Sequence, residues 1–122
     1  MSVYTPRQLN ASGAVFFAFT TNFVTPQANQ SIKAAPGAGL SIYITDLVLV
    51  NGLGAGTIRL YSGVDTGLNT NDVLSSMYFA AGERLTMNLS APIKLAANSA
   101  LSIYSLGIGN HNVIVNGYTA AT

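Results

Sequence analysis

The sequence predicts an all-β fold, a single-domain β-sandwich of about eight antiparallel strands, and three observations carry that prediction. Short runs rich in β-branched and aromatic residues alternate apolar with polar side chains, the period-2 signature of half-buried strands. Gly, Pro, Asn and Asp punctuate those runs at intervals of about 8–15 residues, as turns between short strands require. No stretch keeps a 3.6-residue periodicity. At 122 residues the chain has the length of one domain, enough to bury roughly two-thirds of its unfolded surface.

Residues 1–10 are polar with Pro6 and read as an arm. Val15, Phe17 and Phe19 then alternate with Phe16, Ala18 and Thr20, a strand with large rings on both sides. Residues 1–30 are taken together as arm and first strand, and 31–122 as the body of the sandwich, one domain overall. Residues 25–29 read as a turn or linker, and 31–35 as a short strand ended by Pro36 and Gly37. The stretch 39–63 is the organising one: two β-rich runs flank Gly52-Leu-Gly-Ala-Gly56, which reads as a hairpin with a longer loop. Within it Leu40, Ile42 and Ile44 alternate cleanly, whereas residues 47–50 are apolar at every position. That change of pattern demands either two covered faces or a bulge at Thr45–Asp46.

Residues 63–72 make the longest polar loop, 73–80 a strand, and Ala81-Gly82 a tight turn. Leu85, Met87 and Leu89 alternate with Arg84, Thr86, Asn88 and Ser90, so these three are expected to face the interior. Pro92 interrupts, and Ile93 and Leu95 continue around Lys94 on what reads as an edge. Leu101 and Ile103, then Val113 and Val115, supply two further alternating strands. Eight strands with a long central one favour a jelly roll over an immunoglobulin-like sandwich, which usually shows seven strands and a core Trp.

Composition narrows the function classes. Charged residues are 7% of the chain, against about 25% in an ordinary soluble protein, while 49% are hydrophobic. A surface so poor in charge has little protection against association, so other subunits are expected to cover part of it. Five scattered Lys and Arg residues and a net charge of +1 do not make the basic patch that nucleic acid requires. The absence of Cys excludes disulfides and thiolate metal sites. No run approaches the length of a membrane span, and residues 14–19 are too short for a secretory core, so the protein is expected to act without export and without a membrane.

Catalytic residues, cofactor sites and metal sites are expected to be none. His111, the single histidine, lies at a turn-to-strand boundary without a nucleophile elbow and reads as a surface or satisfied core residue. Asp46, Asp65, Asp72 and Glu83 are the only carboxylates that could pair for glycoside hydrolysis. Asp46 sits within an apolar strand and is read as locally hydrogen-bonded or marking a bulge. The loop 65–72 is rich in oxygen ligands but lacks a calcium-binding register, and reads as an Asn/Gly connection. Three Asn-x-Ser triplets, at Asn10, Asn29 and Asn88, match the glycosylation pattern as an Asn-rich chain does by chance. Phe16 and Phe23, from the densest aromatic cluster, are the candidate interface residues.

The segments Tyr43-Ile-Thr-Asp-Leu-Val-Leu-Val-Asn51, Pro92-Ile-Lys-Leu-Ala-Ala-Asn-Ser-Ala-Leu101 and Val113-Ile-Val-Asn-Gly-Tyr118 together resemble small all-β virion proteins of tailed bacteriophages. That group includes head-decoration, or cement, proteins and other accessory capsid proteins. The resemblance spans roughly residues 31–118 and consists of strand-and-turn patterns. It implies a jelly-roll-like homotrimer bound to the major capsid protein or another virion component, made in the host cytoplasm and resident in the virion. The competing expectation is a carbohydrate-binding sandwich using Asp65, Asn69 and Tyr78.

Overall fold

The computed structural model describes residues 14–63 and 71–122, with backbone alone at 75 and 76. Among these residues there are eight strands: β1 (Val15–Phe23), β2 (Gln30–Lys33), β3 (Leu40–Asn51), β4 (Gly56–Ser62), β5 (Asp72–Phe79), β6 (Arg84–Lys94), β7 (Leu101–Leu106) and β8 (His111–Ala121). They form two four-stranded sheets, β1-β8-β3-β6 and β2-β7-β4-β5, with every pairing antiparallel. The all-β, two-sheet expectation therefore holds. The expected arm, residues 1–10, lies outside the described residues, and β1 is built into the first sheet alongside β8.

Pairing is nested. β1 pairs with β8, β2 with β7, β3 with β6 and β4 with β5. The chain is thus a long double ribbon that turns back between β4 and β5, and β3–β8 and β4–β7 contacts complete each sheet. Every connection except β4–β5 passes from one sheet to the other.

That topology corrects the reading of 39–63 as a hairpin: β3 and β4 lie in different sheets. Alternation reports which faces a strand buries but not which strand lies beside it. The glycine-rich turn instead packs back to back with the β7–β8 turn. Gly52 N–H and Leu53 N–H both donate to the Asn110 carbonyl, at 2.8 and 3.1 Å, and Gly109 N–H donates to Leu53 O at 2.9 Å. A Cβ at Gly56 would overlap the Leu106 carbonyl oxygen, so only glycine lets the two turns approach this closely.

The core lies between the sheets. Ile42, Ile44, Leu47 and Leu49 of β3 meet Ile58 and Leu60 of β4, Leu101 and Ile103 of β7, and Val113 and Val115 of β8, all almost fully buried. Each such side chain is worth about 1.5–3 kcal/mol of transfer free energy. Leu85, Met87 and Leu89 are partly buried against the same cluster, as their alternation predicts.

The expected bulge is present. The register of β3 breaks between Ile44 and Asp46 against both β6 and β8. Without the extra residue, strict alternation from Ile42 and Ile44 would send Asp46 inward; with it, Leu47 and Leu49 take the core face. Thr45 Oγ1 donates to Asp46 Oδ2 at 3.2 Å. Opposite the bulge, a Cβ at Gly117 would overlap the Tyr43 carbonyl oxygen.

Candidate functional surface

On the first sheet, the even-numbered side chains of β1 face away from the core, because Phe17, Phe19 and Phe23 pack against it and strand side chains alternate. Register then places Phe16 opposite Tyr118, Tyr118 opposite Tyr43, and Tyr43 opposite Lys94. These four form one row across all four strands. The Phe16 and Tyr118 rings are 5.4 Å apart and tilted by 39°. Tyr118 and Tyr43 stack at 4.9 Å, within 10° of parallel, and Lys94 Nζ lies 6.0 Å from the Tyr43 ring centre. Offset aromatic pairs contribute about 0.5–1.5 kcal/mol each beyond their area.

Two further rows cross the same face. One runs Thr20, Ile114, Val48, Thr86, and the other Asn22, Asn112, Val50, Arg84. Ile114, Val48 and Val50 are half-buried, as are Phe16, Tyr118 and Tyr43. The apolar run at 47–50 is thereby explained: two of its residues serve the core and two form an apolar patch outside it.

Of the two expected interface residues, the structure puts Phe16 in this row and Phe23 elsewhere. Phe23 packs against the core and lies 5.4 Å from the His111 ring, since an odd position on β1 faces inward. Sequence reasoning missed Tyr43 and Tyr118. Both occupy the face opposite the core-forming residues of their strands, but only the β3–β8 register shows that they stack.

His111 is the nearest thing to reactive chemistry. Its Nδ1 lies 2.7 Å from Gly109 O, so Nδ1 carries the proton, because a carbonyl only accepts. Nε2 then accepts from Ser105 Oγ at 3.1 Å, and Ser105 Oγ accepts from Gln27 N–H at 2.8 Å. The pair resembles the nucleophile and base of a hydrolase, yet its third member is a backbone carbonyl rather than a carboxylate. Ser105 and His111 are also almost fully buried, so no substrate reaches the hydroxyl. Burial pushes the imidazole below its ordinary range, with the Gly109 hydrogen bond opposing in part. This is a satisfied core histidine.

The carboxylates are dispersed. Asp72 pairs with Arg59 at 2.5 Å in a largely buried site. Glu83 accepts from Ala80 N–H at 2.6 Å in a turn, and Asp46 lies at the bulge. Among the described residues no three His, Asp or Glu side chains converge as metal ligands would. Asp65 and Asn69, and with them most of the 65–72 loop of the calcium reading, fall outside the described residues. Tyr78 is 69% exposed on β5. An open cleft of about 350 Å³ lies where β5, β6 and the β6–β7 connection meet, lined by Ser62, Asn71, Asp72, Ile93, Lys94 and Ser99, among others.

Comparison with known proteins adds no relative to these observations: no protein-family model matches the chain, and no curated protein matches it.

Proposed function

We propose that the chain is a non-enzymatic structural protein of a bacteriophage particle, folded as a jelly roll, that self-associates and decorates or reinforces the capsid. The observation that carries this reading is the outer face of the first sheet. It is crossed by an aromatic row and an apolar patch, and it lies outside the chain's own core. Faces of that kind mark protein–protein contact. The nested pairing and the two four-stranded sheets support the jelly-roll reading, an architecture of viral capsid and lectin domains.

Imaging purified particles with and without the protein tests the reading. Density on the shell that disappears with the protein is the expected result, and indistinguishable particles overturn it. A carbohydrate-binding role is the second reading, favoured by the exposed Tyr78 and by the open cleft bordered by Asn71, Asp72, Lys94 and Ser99. Binding to a glycan array, lost in Tyr78→Ala, is the result that supports it.

A further inference from the structure

Four strands form the lateral edges of the two sheets: β1 and β6 in one, β2 and β5 in the other. An edge presents unpaired N–H and C=O groups, and natural sheets guard it with charge, proline, bulges or brevity. β6 carries Arg84, Pro92 and Lys94 and loses register with β3 between Asn88 and Ile93. β5 begins with Asp72 and breaks register with β4 twice. β2 is 4 residues long, contains Lys33 and is bulged.

β1 has none of these devices. It runs 9 residues, Val-Phe-Phe-Ala-Phe-Thr-Thr-Asn-Phe, with no charge, proline or glycine, and pairs with β8 in unbroken register. Among the described residues no strand lies along its other edge. Its inward rings Phe17, Phe19 and Phe23 are only partly buried, although Lys33 Nζ lies 5.1 Å from the Phe17 ring centre.

From this we infer that β1 pairs with β1 of a second copy, antiparallel about a two-fold axis, continuing the first sheet from one subunit into the other. The partner is the same strand because β1 is the one unguarded edge among the four, and an antiparallel pair of identical strands is self-complementary. A two-fold axis through Phe19 pairs all 9 residues. It sets Phe19 against its own copy and Ala18 against Thr20 of the partner subunit, both exposed and both on the outer face. The contact yields a dimer in place of the trimer that the resemblance implies. It needs only a second copy, so its failure leaves the particle reading standing.

Sedimentation of the full chain at micromolar concentration tests it, together with two double variants. The wild type should sediment as a dimer. A18K/T20K sets like charges against each other across the axis and should sediment as a monomer with its β-sheet circular dichroism intact. A18K/T20E sets opposite charges there and should restore the dimer, more weakly at high salt. A wild-type monomer, a trimer, or a dimer indifferent to A18K/T20K overturns the inference. Should A18K/T20K fail to fold, amide hydrogen exchange of the wild type decides. The β1 amides that point away from β8 should lose protection on dilution. Protection that persists in a monomer assigns this edge to the chain's own residues and overturns the pairing.

Discussion

Two patches on the outer faces of this sandwich are finished in opposite ways. On the second sheet, Arg59 and Tyr61 alternate with the core residues Ile58 and Leu60 and so project away from the core, yet both are buried. Polar contacts within the chain close them over. Arg59 pairs with Asp72, its guanidinium lies 4.6 Å from the Tyr61 ring centre, and Tyr61 donates its hydroxyl proton to Asn29 Oδ1. On the first sheet, Phe16, Tyr118, Tyr43, Val48 and Ile114 project outward and stay half-exposed. Around Arg59 and Tyr61 the second face is closed by contacts within the chain, although Tyr78 and Leu106 stand exposed beside Thr57 on that same face; among the described residues the row on the first sheet is only partly covered.

Breaking the self-completed face should therefore cost fold stability, and this is the largest effect expected. Asp72→Asn keeps the shape of the side chain and removes its charge, leaving the Arg59 guanidinium with less compensation in a largely buried site. The expected loss is about 3 kcal/mol, read as a shift in the urea midpoint with an unchanged slope. A loss under about 0.5 kcal/mol, the level of a surface pair, would mean that this face is held by other contacts.

Next in size is a change between the faces. Leu89 reaches the core from β6 but is only partly buried, so Leu89→Ala should cost about 2 kcal/mol, the low end for such truncations. A cost near zero would place Leu89 on a solvent face and undo the register of β6.

Much of this division was legible in the sequence, and the remainder has a physical reason for being hidden. The alternation at Leu85, Met87 and Leu89, the switch at Thr45–Asp46 and the edge character of Pro92 are local: each depends on a strand's own side chains. The partner of β3 is not local. A glycine-rich turn after β3 allows a hairpin and a crossing to the other sheet alike, and the choice is made by the match of β3 to β8 and β6 over most of its length. The aromatic row is hidden for the same reason, since Phe16, Tyr43 and Tyr118 meet only through two registers. Phe23 shares an aromatic cluster with Phe16 in the sequence, and its odd position on β1 turns it towards the core.

The buried histidine supplies a graded, pH-dependent effect. Burial holds the His111 imidazole below its ordinary value of 6.5, so the unfolded chain takes up a proton at a higher pH than the native one. Stability from this group is complete above about pH 6.5 and falls as the pH drops from there towards the lower native value. Melting temperature should decline over that window in the wild type, and the decline should shrink in His111→Gln. An equal decline in both proteins would assign the acid sensitivity to the carboxylates.

The smallest effect on the fold is expected at the open face, where its smallness is informative. Phe16 lies on the outer side of β1 and touches Tyr118 there, while the neighbouring odd positions supply that strand's core contacts. Phe16→Ser removes the tilted ring pair with Tyr118, a contact worth about 0.5–1.5 kcal/mol, and opens no cavity in the core. Thermal unfolding should therefore move by a few degrees at most, far less than in Leu89→Ala. Association should suffer more, because a half-exposed ring on an apolar face gains its remaining burial only from a partner. The comparison needs one variant and two measurements, unfolding and sedimentation. If Phe16→Ser lowers stability as much as Leu89→Ala and leaves association unchanged, the aromatic row is a structural brace of the first sheet and the two faces are both completed by the chain itself.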